Sequence, residues 1–276
     1  MKTLTLLLLT LALSFSGIGS QLDALLHPAA YHMIDLPQTA LPVPLAAPAE
    51  DTFLQLPQVR MHYQRWGDPE NPPLILVHGN GGSVRSLDEA ASYFANDYAV
   101  YLPESRCHGE SSDPGTISYK EMAQDLCDFI AALGLEKPIL IGHSDGAIDV
   151  IELAAMAPDV PGAIIACGAN SRPSTFKPYF PLGVALRNLF AHDKLNDLML
   201  EEPDLTPELL AKITCPAYVV SGQNDIMWLS DTRYLGEQIP GADWVILRGE
   251  NHSSYMSQNG AKTYALARPW LDAKGL

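Results

Sequence analysis

Basic side chains are scarce in this chain. Against 32 Asp and Glu it carries 17 Lys and Arg, a formal charge of −15 at pH 7. Phosphate backbones are held by clustered Lys and Arg, so nucleic acid is not an expected partner. No glycine-rich loop of the kind that cradles phosphates is present either. Metal-ligand spacing is also missing: His27, His32, His62, His108 and His192 form nothing like His-Glu-x-x-His, so neither a metal nor another cofactor is expected. Cysteine is sparse. Cys107, Cys127, Cys167 and Cys215 include no close pair, and their spacing leaves disulfides and buried free thiols equally open. Long apolar runs are absent beyond the N-terminus. There, Lys2 precedes an apolar stretch at residues 4–13 and small residues through Gly17-Ile18-Gly19-Ser20. A bilayer span needs about 20 residues, so residues 1–20 read as a secretory signal cut near Ser20. No cysteine follows to take a lipid. The expected location is periplasmic or extracellular, with no membrane contact after cleavage.

What is present is a long alternation of strand and helix signals. Residues 21–50 form a Pro/Ala-rich arm with little periodicity, and the main domain is expected over residues 51–276. Residues 59–66 alternate like a hairpin strand and stop at Gly67-Asp68-Pro69. Short apolar runs recur at Leu74, Ala99, Pro138, Ala163, Ala217 and Trp244, with helical stretches between most of them. That order predicts an α/β fold with a mostly parallel central sheet and helices on both faces. The best-marked helix opens at Ser118-Tyr119-Lys120-Glu121, a capping-box spacing, and puts Met122, Leu126, Phe129, Ile130 and Leu133 on one core face before Gly134. Residues 168–214 read as a small helical insert.

The chemistry concentrates in Gly142-His143-Ser144-Asp145-Gly146, directly behind the apolar run Pro138-Ile139-Leu140-Ile141. A Gly-x-Ser-x-Gly between a buried strand and a helix is a strained turn that lifts a serine hydroxyl clear of the sheet. A serine needs a base and an orienting acid to act as a nucleophile. Asp225, in the turn after the strand near Val219, is the candidate acid. His252, the only histidine after Asp225, is the candidate base. The loop His78-Gly79-Asn80-Gly81-Gly82 follows an earlier strand, and its glycines let backbone N–H groups approach an oxygen. The backbone N–H groups of Asn80 and Asp145 are the candidate oxyanion donors. His78 is expected to brace that loop, and a glycan on Asn251-His252-Ser253 would crowd His252, which fits a bacterial source.

With these residues the chain resembles the α/β-hydrolase superfamily from about residue 53 to the C-terminus. The likeness includes Glu104-Ser105-Arg106-Cys107-His108-Gly109, where small members usually have Asp and Gly in place of Glu104 and Cys107. A serine nucleophile separates it from dehalogenase and epoxide-hydrolase relatives, which carry aspartate there. The resemblance implies a Ser144–Asp225–His252 triad and a short cap over the site. Lining residues are then expected among His78, Gly79, His143, Tyr179, Phe180, Phe190 and Met199. Arg106 is expected either to pair with Glu104 or to face the site, with the structural pair preferred. Asp145 is expected to be a first-turn helix acid facing away from substrate, although its position is similar to one in valacyclovir-hydrolase-like enzymes, where it would hold a substrate ammonium. The expected activity is hydrolysis of a small carboxylic ester, a small-molecule substrate, through an acyl-enzyme. Amino-acid esters, lactones, activated C–C bonds, peroxide chemistry and a slow-turnover binding protein stand as alternatives, and oligomeric state is left open.

Overall fold

The computed structural model describes residues 18, 19 and 21–276; the signal-peptide reading of residues 1–20 falls almost wholly outside them. Among the described residues, nine strands form one sheet. In chain order they are β1 (Met33–Ile34), β2 (Glu50–Gln55), β3 (Arg60–Trp66), β4 (Pro73–Val77), β5 (Ala99–Pro103), β6 (Ile139–His143), β7 (Ala163–Cys167), β8 (Ala217–Asn224) and β9 (Asp243–Asn251). Across the sheet the order is β1-β9-β8-β7-β6-β4-β5-β3-β2, with β2, β3 and β5 paired antiparallel and the rest parallel. This is the α/β-hydrolase fold.

Both faces are covered, which is why the central strands are continuously apolar. Side chains alternate across the sheet: Ile75, Val77 and Leu140 join one core, while Leu74, Leu76, Ile139 and Ile141 join the other. Helices α2 (Tyr119–Leu133) and α3 (Asp145–Met156) close the first face, and α1 (Asp88–Phe94) and α8 (Gly260–Lys274) the second. Helix α2 starts where Ser118 Oγ accepts the backbone N–H of Glu121 at 3.2 Å, and it ends at Gly134 with φ 64°. Met122 and Phe129 are buried in the core, as their spacing predicts. Emptying such a site, as in Phe129→Ala, costs about 3–5 kcal/mol.

The insert between β7 and β8 holds α4 (Tyr179–Phe190), α5 (Lys194–Glu201) and the single turn α6 (Pro207–Leu210); α7 (Leu229–Gln238) follows β8. Asp193 caps α5 and Thr206 caps α6 through their side-chain oxygens. The N-terminal arm is laid along the domain, and it adds a strand that its composition does not announce. β1 pairs parallel with β9, His32 stacks on Trp244 at 4.2 Å, and Tyr31 is buried. Farther on, the N–H of Leu45 donates to the Ser92 carbonyl. All four cysteines are free thiols, which closes the pairing question left open by their spacing.

Candidate active site

Strand β6 delivers Ser144 at its C-terminal end, and α3 begins at the next residue. The turn is too tight for side chains on its flanks. A Cβ at Gly142 would lie 2.1 Å from the Gly146 carbonyl oxygen, and one at Gly146 would lie 2.3 Å from that of Val77. Ser144 itself takes φ 56° and ψ −117°, a conformation L-residues rarely adopt, and its N–H is tied to the Cys167 carbonyl at 2.9 Å.

Two loops at the same edge of the sheet, after β8 and β9, bring the partners in. Ser144 Oγ donates to Nε2 of His252 at 3.0 Å, and Nδ1 of His252 donates to Oδ1 of Asp225 at 2.7 Å. A carboxylate only accepts, so Asp225 selects the tautomer that leaves Nε2 free to take a proton. Asp225 is fully buried at the end of β8. Burial alone would raise its pKa, but the paired His252 and the N–H groups of Gly222 and Ile226 outweigh that and hold it below the usual value. Burial likewise presses His252 down, and the charge and hydrogen bond of Asp225 raise it above 6.5.

His143 and His78 pack around this row. Nε2 of His143 donates to the His252 carbonyl at 2.7 Å, and burial lowers its pKa to about 4, so it is neutral. His78 is also buried with a pKa of about 4; its Nδ1 donates to the Gly79 carbonyl and its Nε2 accepts the Ser105 N–H. His78 thus spends both ring nitrogens on the protein, and His143 spends Nε2. Gly79 packs directly against the serine, since a Cβ there would lie 2.8 Å from Ser144 Cβ.

Asp145 opens α3, so its backbone N–H belongs to the first turn, which has no carbonyl of its own helix to meet. Its carboxylate is 3% exposed and turned inward, where it accepts Asn80 Nδ2 at 2.9 Å and a hydrogen bond from Tyr119. Burial raises its pKa against those bonds. The first-turn placement holds, and the carboxylate already accepts two hydrogen bonds from the protein. The Asn80 amide also donates to the Leu195 carbonyl at 3.0 Å, linking the loop to α5 of the cap.

One expectation from the loop Glu104 to Gly109 is corrected. Arg106 pairs with Asp125 at 2.7 Å and Glu121 at 2.8 Å, both on α2, and not with Glu104. Glu104 is instead the buried hub of its loop, accepting from His62 Nδ1 and the N–H groups of Val84 and Glu110. Cys107 has φ 65°, which explains why glycine suits that position in relatives of this kind. Among the candidate lining residues, Tyr179 is 60% exposed and Phe190 90% exposed, so Phe190 lies on the outside of the cap. Phe180 packs against Phe176 with the rings tilted and their centroids 4.7 Å apart, and Met199 is half-buried.

Lys177 was missed. Its Nζ donates to the Asp225 carbonyl at 2.6 Å, and burial lowers its pKa against the pull of Asp225. No motif surrounds it, so only the folded cap shows that it grips the loop carrying Asp225.

A mostly parallel sheet that presents a strained serine at the end of a central strand, with His and Asp from later strand ends, defines the α/β-hydrolase class. Residues 74–266 match the model of the alpha/beta hydrolase family, and the chain belongs to that family. Esterase YbfF of Escherichia coli is 39% identical over 89 residues, which cover 32% of this chain and 35% of that protein. The match thus spans about a third of that relative. Solved structures share the fold: a thermophilic esterase from Thermogutta terrifontis has TM-score 0.65 at 21% identity, covering 82% of this chain and 99% of that one. A carboxylesterase of Nitrososphaera gargenis has TM-score 0.68 at 20% identity, covering 82% and 100%.

Proposed function

We propose that this protein is an exported serine esterase that hydrolyses small carboxylic esters through an acyl-enzyme. The observation that carries the reading is the unbroken row from Ser144 Oγ to His252 at 3.0 Å and from His252 to Asp225 at 2.7 Å, set at a strained strand-to-helix turn. Ser144 attacks the ester carbonyl while His252 takes its proton. Asp225 holds the imidazole in the productive tautomer and offsets the charge that develops on it. The N–H groups of Asn80 and Asp145 receive the oxyanion, the second of them at the positive end of α3. His252 returns the proton to the departing alcohol, then activates water to release the acid. No cofactor enters this cycle. The family and the name of the E. coli relative support hydrolysis, and the N-terminal apolar stretch supports export.

Amino-acid esters fit less well, because the Asp145 carboxylate is buried and bonded to Asn80 and Tyr119. The test is hydrolysis of p-nitrophenyl esters from acetate to palmitate, beside a matched aminoacyl ester, by wild type and Ser144→Ala. Serine-dependent turnover that favours short chains and shows no aminoacyl preference is expected. A folded wild type that binds these esters without repeated turnover would instead be a binding protein.

A further inference from the structure

Helix α4 is amphipathic the wrong way round for a helix that faces water. Its apolar residues Tyr179, Leu182, Leu186, Leu189 and Phe190 are 60%, 44%, 50%, 75% and 90% exposed. At about 100° per residue these five fall within an arc of about 100° along one side. On the far side sit Val184, which is buried, and Asn188. Asn188 holds the helix to its neighbour α5: its Nδ2 donates to Asp197 Oδ1 at 2.6 Å, and its Oδ1 accepts from Asn196 Nδ2 and the Asp193 N–H. The polar side chain is therefore turned inward and the leucines outward. A surface helix ordinarily does the reverse. The arc is continuous, and exposed apolar patches of several hundred Å² mark contact surfaces.

The arc belongs to the roof of the candidate site. Lys177, two residues before α4, donates through Nζ to the Asp225 carbonyl and through its backbone N–H to that of Ile226. At the other end of the cap, the Leu195 carbonyl on α5 takes the Asn80 amide. Whatever rests on α4 thus lies on a cap that is tied to the loops carrying Asp225 and Asn80.

Charge narrows the occupant. Residues 160–192 contain no Asp or Glu, although the chain has 32 of them; of their three cations, Lys177 is held on the Asp225 carbonyl, which leaves Arg172 and Arg187 to face outward. Arg172 and Arg187 are exposed, the second on the flank of the apolar arc. Apolar residues flanked by cations suit the boundary between acyl chains and anionic headgroups. The nearest acids, Asp193 and Asp197, meet α4 at Asn188 on its inward side, and charge farther than about 8–10 Å is screened at physiological salt. A second copy fits less well. A helix of this length runs about 18 Å, and its arc falls short of the ~800 Å² per partner that a stable pair buries. Among the described residues no helix is long and apolar enough to cross a membrane, so the contact is with a surface.

We propose that α4 docks on an anionic phospholipid surface and brings the mouth of the Ser144 site to esters held there. This adds a lipid contact that the sequence reading does not expect, and it rests on the ester-hydrolase reading above. The experiment is partition of the full chain, carrying Ser144→Ala so that no lipid is consumed, onto vesicles of phosphatidylcholine and phosphatidylglycerol. The same measurement is made with Leu182→Ser, Leu186→Ser and Leu189→Ser added together. The triple change should lower vesicle affinity about tenfold or more. On the Ser144 background it should leave melting temperature and p-nitrophenyl acetate turnover within about twofold of wild type while slowing hydrolysis of a vesicle-borne ester. Equal vesicle affinity of the two proteins would overturn the proposal, as would a solution dimer that the triple change dissociates. Loss of p-nitrophenyl acetate turnover in wild type would instead remove the esterase reading and leave the vesicle result standing by itself.

Discussion

Ser144 holds a backbone conformation that costs on the order of 1–3 kcal/mol, and the residues around it exist largely to keep it there. Gly142 and Gly146 leave room for the turn, the Cys167 carbonyl takes the serine N–H, and Gly79 packs beneath it. The electrostatics run in one direction. Asp225 is kept ionised by His252 and two backbone N–H groups, and in turn raises His252 above 6.5. Since His252 must be neutral to accept the serine proton, kcat/KM should rise with pH through a single acid limb lying above 6.5. Asp225→Asn should cut kcat about 10⁴-fold and move that limb to lower pH, because the raising charge is gone. A pH profile of the residual activity measures both. A limb that stays in place would show that another group sets it.

At the scale of elements, helix α3 carries an unusual inner face. Asp145, Asp149 and Glu152 are all buried on it, and neither carboxylate oxygen of Asp149 has a hydrogen-bond partner. Burial, then the nearby Asp145, Glu152 and Asp125, push Asp149 well above 3.8. In the unfolded chain it would titrate near 3.8, so the fold holds a proton that the unfolded chain releases. Stability from this group is full below that value and falls as pH rises toward the folded pKa. Asp149→Asn should remove this slope, raising stability at pH 8 by about 1–3 kcal/mol and changing little at pH 4. Denaturant unfolding at the two pH values checks it; an equal change at both would refute the titration argument. The positions of α3 and α2 are legible in the sequence, because Gly142 to Gly146 and Ser118 to Gly134 are local signals of turn and cap. The inner carboxylates are not. An Asp four residues into a helix reads as surface until the packing of α2 against it is known. The same limit applies to Arg106, whose partners on α2 are chosen by tertiary placement, and to Phe190, where an aromatic in a cap carries no mark of inside or outside.

At the scale of the molecule, the sheet order follows from alternating strand and helix signals, while its edge does not. Residues 33–34 are too short, and the arm too rich in Pro and Ala, to announce a strand. Yet β1 covers the outer edge of β9, and Tyr31 and His32 fasten it there. An uncovered strand edge invites pairing with other chains. Removing residues 21–49 should therefore cost about 2 kcal/mol or more and promote aggregation, read by thermal unfolding and light scattering. An unchanged melting temperature would mean that the arm only rests on the domain. The remaining whole-molecule question is whether the row at Ser144 works as a nucleophile. The most direct measurement is rapid-quench mass spectrometry of the folded protein with p-nitrophenyl acetate below the acid limb, where deacylation is slow. The account predicts one acetyl group per chain, mapped to Ser144, formed and lost at rates that support repeated turnover, and absent from Ser144→Ala. An unmodified Ser144 in a protein that still hydrolyses the ester, or an acetyl group carried elsewhere, would contradict it.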